Sequence, residues 1–344
     1  MSQSAANYSY WRTIAEGRVR LSALGFGAAP IGNLYTPVAE ADAQAAVQEA
    51  LARGIRYFDT APYYGFGLSE KRLGRALKGA PRDSFAISTK VGRCIETDAG
   101  NRSASASAFA VNGGHTVFNY SRDGVQRSFE SSLRRLGVDY MDILLLHDVG
   151  RLTHGDRHPQ VLRQALDEAL PAMAALRDSG AVGAIGIGVN EQAVCLELMP
   201  RFDLDCIMLA GRYTLLEQRE SINVMAEAER RAVKIIAAGP FNGGLLADAR
   251  GPGKTYNYLP VDAATLDHAR ALYAMCALEG VDIGAAALQL PLAHPAVVSV
   301  VAGQRSAGEV VSAVQRLRAP IPTSLWSRLR LAKLLEPNTV VPST

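Results

Sequence analysis

Short apolar runs recur along this chain, and each is followed by a longer stretch whose apolar residues return at helical spacing. Residues 24–26, 57–59, 86–90, 141–146, 184–189, 206–210, 233–238 and 297–302 read as strands. They are continuous apolar runs rather than alternating ones, the pattern of parallel strands buried on both faces. Helical spacing predicts helices over 41–53, 69–77, 121–136, 160–179, 191–199, 220–231, 265–279 and 306–318. Ser69 and Ser121 supply capping residues, and Gly54, Gly137 and Gly180 stand where helices should stop. Eight strand–helix units predict an α/β fold, a closed (β/α)8 barrel, with an open doubly wound sheet as the competitor. Gly25-Phe26-Gly27 lacks the third glycine and the following helix of a dinucleotide fingerprint, which argues against the open sheet.

Two pieces fall outside the repeat. Residues 1–22 hold a hairpin-like segment around Gly17, and residues 322–344 a C-terminal helix and tail. A stretch rich in Gly, Ser, Ala and Asn, residues 92–119, follows the third strand and reads as a mobile loop on the substrate side. The whole chain, residues 1–344, is expected to be one barrel domain, since such barrels routinely exceed 200 residues.

Composition narrows the partners. Net charge is only +3 and no Lys/Arg run is concentrated, so nucleic acid is not an expected partner. Four scattered cysteines, Cys94, Cys195, Cys206 and Cys276, form no C-x-x-C pair and read as reduced thiols. No metal site is expected. The N-terminus has no apolar signal region, and no stretch approaches the roughly 20 apolar residues that span a bilayer. A cytoplasmic location without membrane contact is expected, as a monomer or small homo-oligomer.

Barrel enzymes carry their chemistry at the C-terminal strand ends. Here those ends carry Asp59, Lys90, His147 and Asn190, with Tyr64 five positions beyond Asp59. Singly, each has a plain structural role: a turn cap, a solvated strand end, a core histidine, loop packing. Together on one rim they form a site by position. A phenol releases its proton only at about pH 10, so Tyr64 needs neighbours before it can act as acid or base. A lysine at a strand end also suits Schiff-base chemistry, which the Asp59–Tyr64 spacing argues against.

The runs GIRYFDTAPYYGFGLSEKRLGRAL, AISTK ending at Lys90, SLRRLGVDYMDILLLHD with His147-Asp148, and GAIGIGVNE resemble, in order and spacing, the aldo-keto reductases. The resemblance covers nearly the whole chain. It implies that Asp59, Tyr64, Lys90 and His147 form a catalytic tetrad and that Asn190 binds a nicotinamide carboxamide. The loop Gly239, Pro240, Phe241, Asn242, Gly243 would cradle a pyrophosphate. Two positions depart from the family pattern, with Ala210 in place of a glutamine and Ala238 in place of the aromatic that stacks on nicotinamide. NADPH-preferring members place a lysine and an arginine against the 2′-phosphate where this chain has Gly303 and Glu309. A carboxylate there repels that phosphate and Arg305 offsets it only in part, so NAD is the expected cofactor, with NADP as the alternative.

AGRYTLLEQ, GVNE and AAGPFNGGLL are most similar to the sugar-oxidising branch. That implies hydride removal from C1 of an aldose of L-fucose or D-threo type, the cyclic hemiacetal becoming a lactone, with L-galactose and pyridoxal as neighbouring substrates. Tyr63, Tyr120 and Arg212 are the expected substrate contacts, with His115, Phe118 and Tyr213 as further pocket candidates. The rivals are an NADPH-dependent aldehyde or ketone reductase and, outside enzymes, a redox-sensing channel subunit.

Overall fold

A computed structural model describes residues 11–96, 108–111, 114–248, 250–253, 255–256 and 259–343. Eight parallel strands close into a barrel, β1 (Leu24–Gly27), β2 (Tyr57–Asp59), β3 (Ala86–Val91) and β4 (Met141–His147) forming the first half. The second half comprises β5 (Val182–Val189), β6 (Cys206–Ala210), β7 (Lys234–Ala238) and β8 (Val297–Gly303), which pairs back onto β1. Each expected strand is present to within about two residues. The continuous apolar runs now have their reason. Along the strands, Phe58, Ile87, Leu144 and Ile185 face the helices. Alternate residues such as Tyr57, Ile143, Leu145 and Met208 fill the barrel.

The N-terminal hairpin pairs Trp11–Ile14 with Val19–Ser22, and Gly17 takes the left-handed conformation in its turn (φ 90°). Its Ile14, Val19 and Leu21 join the cluster of barrel-interior residues and so close the N-terminal mouth. Helix ends follow local chemistry. Ser121 Oγ accepts the Gly124 N–H at the start of Arg122–Leu136, and Gly137 (φ 68°) ends that helix.

Three features differ from the sequence expectation. The helix that packs beneath β8 is Ile283–Leu292, not the expected one over 265–279. The latter exists as Ala263–Leu278 but lies outside it, against the C-terminal helix Thr323–Leu331. Ile283 to Pro291 are all buried, so no polar stripe revealed a helix there. The expected helix over 160–179 starts at His158 and carries one π-turn, Ala165–Ala169. Residues 92–119 are not one structureless loop: Arg93–Glu96 pairs antiparallel with His115–Phe118. Residues 97–107 and 112–113 lie outside the described part. Among the described residues no single helix is long and apolar enough to cross a membrane.

Candidate active site

Strands β2 to β5 are consecutive neighbours, so their C-terminal ends share one arc of the rim. Register sets Asp59 opposite Ser88, Lys90 opposite Leu145 and His147 opposite Gly188. Gly188 leaves room for the lysine stem, since a Cβ there would lie 3.3 Å from Lys90 Cε. The Lys90 ammonium donates to both Asp59 oxygens (2.8 and 2.9 Å) and to Thr60 O (2.8 Å), which uses its three hydrogens. Both side chains are almost wholly buried. Ser88 Oγ donates to Asp59 Oδ1 (2.7 Å), and Tyr57 OH lies 2.9 Å from Ser88 Oγ. Burial and then the Asp59 carboxylate push the Tyr57 phenol well above its ordinary value, so it stays protonated and donates into this chain. A buried ion pair needs such extra hydrogen bonds to offset desolvation.

Tyr64 sits in the turn after β2. Its N–H donates to Ala61 O (3.1 Å), and its own carbonyl accepts from Ser69 N–H (3.2 Å). The loop after β1 presses on this turn, because a Cβ on Gly32 would come 2.9 Å from the Tyr64 carbonyl and one on Gly65 would collide with Gly32 O. Lys90 Nζ lies 4.7 Å from the centroid of the Tyr64 ring. His147 meets that ring edge-on at 6.2 Å between centroids. Phe109 stacks on it at 5.8 Å with 29° between planes.

His147 is buried, and burial, followed by the Lys90 and Arg93 charges, lowers it from 6.5 to about 4 against the opposing pull of Asp148. The imidazole is therefore neutral at pH 7. Its Nδ1 has no hydrogen-bond partner among the described residues, while Nε2 lies 3.6 Å from Asp148 Oδ2.

The expected substrate contacts divide. Tyr63 lies on the rim beneath the Arg93 guanidinium, 3.3 Å from its ring centroid, and 6.4 Å from the His147 ring. Arg212 ties two strand ends together, its Nε donating to Asn190 O (2.8 Å) and Nη1 to Gly211 O (3.3 Å) and Tyr256 OH (3.2 Å). Tyr120 is only 2% exposed. Its hydroxyl donates to His147 O (2.8 Å), also approaches Asp148 O (3.1 Å), and pairs with His154 Nε2 (2.9 Å). The geometry makes it an anchor for the end of β4 rather than a pocket wall. Tyr213 is buried against His294, in the core. His115 and Phe118 stand on the hairpin.

On the opposite arc, β6 and β7 end in small residues, Ala210 in register with Ala238, followed by Gly211 and Gly239. Gly239 (φ 64°), Asn242 (φ 47°) and Gly243 (φ 69°) turn the chain left-handed, which leaves backbone N–H groups at a surface without side-chain bulk. Pro240 and Phe241 complete that turn, with Phe241 packed against the core. Asn242 Nδ2 donates to Gly211 O (3.1 Å), while its buried Oδ1 has no partner among the described residues. At the end of β8 Gly303 packs near Pro30, and beyond it Arg305 and Glu309 pair with each other (Nε–Oε1 3.3 Å; Arg305 N–H to Oε2 2.8 Å). Gln304, which sequence reasoning passed over, is 1% exposed, and neither of its amide atoms has a partner among the described residues. Buried polar atoms are normally satisfied, so orphans gathered at two adjacent strand ends suit a polar ligand. Residues and ligand chemistry fit a dinucleotide on this arc.

Sequence reasoning also missed Phe109, Arg93 and Asp148. Phe109 was legible only as a lone aromatic in a run of small residues.

The rim of this parallel barrel thus carries a buried lysine–carboxylate pair under a tyrosine and, across from it, a glycine-rich turn. The Aldo/keto reductase family model matches residues 23–332, so the chain belongs to that family and is an oxidoreductase. Members of the family use nicotinamide cofactors. Similar curated proteins include pyridoxal 4-dehydrogenase of Microbacterium luteolum, 38% identical and covering 94% of this chain and 97% of the relative. D-threo-aldose 1-dehydrogenase of a Pseudomonas species is 37% identical (93% and 97% covered), and L-galactose dehydrogenase of Arabidopsis thaliana 32% (90% and 89%). Among solved structures, the holo form of an aldo-keto reductase from Bacillus halodurans aligns with a TM-score of 0.74 at 27% identity, covering 95% of this chain and 97% of that one.

Proposed function

We propose that this protein is an NAD-dependent aldose 1-dehydrogenase that oxidises the C1 of an L-fucose or D-threo-type sugar, turning the cyclic hemiacetal into a lactone. The observation that carries the chemistry is the Lys90–Asp59 pair beneath the Tyr64 ring, with a neutral His147 at its edge. Tyr64 takes the proton from the hemiacetal hydroxyl. Lys90, fixed in place by its pairing with Asp59, favours the phenolate over the phenol and so makes Tyr64 a base. His147, neutral, donates one hydrogen bond to the same substrate oxygen and orients it. The nicotinamide dinucleotide supplies the hydride acceptor when bound. Asn190 would hold its carboxamide, residues 239–243 its pyrophosphate, and Gly303, Gln304 and Arg305 the remaining polar groups. Arg305 is already paired with Glu309 across exposed surface, so little positive charge is left for a 2′-phosphate. That supports NAD over NADP.

The relative named for pyridoxal 4-dehydrogenase supports a second substrate, pyridoxal in its cyclic hemiacetal form, for the same chemistry. An NAD-reduction screen over L-fucose, D-arabinose, L-galactose and pyridoxal tests both. Turnover of an aldose with NAD is the expected result. Activity confined to aldehydes with NADPH would overturn the reading.

A further inference from the structure

The hairpin that replaces the expected loop brings one charged side chain to the rim. Arg93 donates through Nε to Thr116 Oγ1 (3.1 Å) and through Nη1 to Asp148 Oδ2 (3.1 Å). Its guanidinium covers the Tyr63 ring and comes within 5.2 Å of the Phe118 ring centroid. The same Asp148 oxygen lies 3.6 Å from His147 Nε2. The pair therefore stands within one side chain of the imidazole that would hold the reacting oxygen.

Two features set this pair apart from an ordinary surface ion pair, which contributes little to stability. Asp148 has φ 51°, the left-handed region, at the point where β4 ends. That unfavourable backbone is fixed by the Asp148 N–H donating to Gly188 O (3.0 Å) and by the Tyr120 hydroxyl beneath it. The turn aims the carboxylate back toward His147 instead of out to solvent. Both side chains are also part-exposed, 21% for Arg93 and 17% for Asp148, so a ligand can reach them. Arg93 has five N–H groups and spends two on the bonds above.

We propose that Arg93 and Asp148 form the hydroxyl-recognition element of this active site, binding adjacent ring hydroxyls of the sugar whose anomeric carbon reacts at Tyr64 and His147. This rests on the aldose reading above. An arginine only donates and a carboxylate only accepts, so together they match a vicinal diol, in which one hydroxyl can accept while its neighbour donates. Pyridoxal has no such diol on its hemiacetal ring, so the pair serves sugars and not pyridoxal.

The test compares kcat/KM for L-fucose, 2-deoxy-L-fucose and pyridoxal, with NAD, in the unmodified enzyme, Asp148→Asn and Arg93→Lys. The ratio between substrates does not depend on how much of a variant folds. The expected result is a fall in the L-fucose to pyridoxal ratio of roughly tenfold to a hundredfold, mostly in KM. The preference for L-fucose over its 2-deoxy analogue should fall with it. An equal loss on all three substrates, or an unchanged ratio, would overturn the proposal and leave the pair as a brace for the hairpin. If the unmodified enzyme oxidises pyridoxal but no aldose, the aldose reading itself has failed, and this proposal with it.

Discussion

Strands β2–β5 and strands β6–β8 end on the same rim, but the first group satisfies every polar atom of its buried ion pair internally, leaving His147 Nδ1 open, while the second leaves Asn242 Oδ1 and the Gln304 amide unsatisfied among the described residues. Lys90 spends all three hydrogens on Asp59 and Thr60, and Asp59 receives Ser88 as well. Across the barrel, Asn242 Oδ1 and both amide atoms of Gln304 are buried without partners among the described residues. In the proposed function the first arc is the one organised before any ligand arrives, as proton chemistry requires, and the second is the one a ligand completes.

The largest expected effect separates the arcs by stability and rate together. Lys90→Met leaves the Asp59 carboxylate buried and unpaired, which should cost about 3–5 kcal/mol of stability. It should also lower kcat by roughly 10²- to 10⁴-fold, since Tyr64 loses the charge that favours its phenolate. Chemical denaturation and steady-state kinetics check both. Should the variant keep its stability and rate, the organised arc would not be the reacting one.

His147 gives a pH test of the same arc. Its native value of about 4 lies below the ordinary 6.5, so the unfolded chain takes up a proton that the native protein refuses. Stability should therefore fall as pH drops from about 6.5 to about 4, by at most about 3 kcal/mol, and the slope attributable to this group should end below that window. The melting temperature of the unmodified protein should fall relative to that of His147→Asn as pH drops from about 6.5 to about 4, and parallel curves would contradict the burial of a neutral imidazole.

Gln304→Met probes the opposite arc. Replacing an unsatisfied buried amide with an apolar side chain of similar size should hold or raise the melting temperature without cofactor. Dinucleotide affinity should fall roughly tenfold. A melting temperature that drops sharply would mean that Gln304 is held by the protein itself. The smallest effect is expected at Glu309→Gln, which frees Arg305 and should shift the NADP-to-NAD ratio of kcat/KM upward by at most about fivefold, because both side chains are exposed.

The difference between the arcs also explains what could be read from sequence. Strand ends identified Asp59, Lys90, His147 and Asn190 because parallel strands have a fixed polarity and short apolar runs mark their ends. Tyr64 followed from its spacing to Asp59. The bonds that make the lysine pair work come from Tyr57 and Ser88, which read in sequence only as strand residues. Phe109 and Arg93 were hidden because they reach the site from a long segment whose pairing partner is remote in sequence. Tyr120 is placed close to the site but turned into the protein, a distinction no spacing rule makes. The helix Ile283–Leu292 escaped because full burial erases the amphipathic period on which helix reading depends. Gln304 had no signal at all, since an unsatisfied amide shows only in the fold.

Tyr64→Phe removes one oxygen from the organised arc and nothing from the other. The central measurement is the rate of NAD reduction by this variant with the best substrate of the screen, alongside its NAD dissociation constant. Turnover should fall by at least roughly 10²-fold with NAD affinity unchanged. Near-normal turnover would contradict the assignment of Tyr64 as the proton carrier.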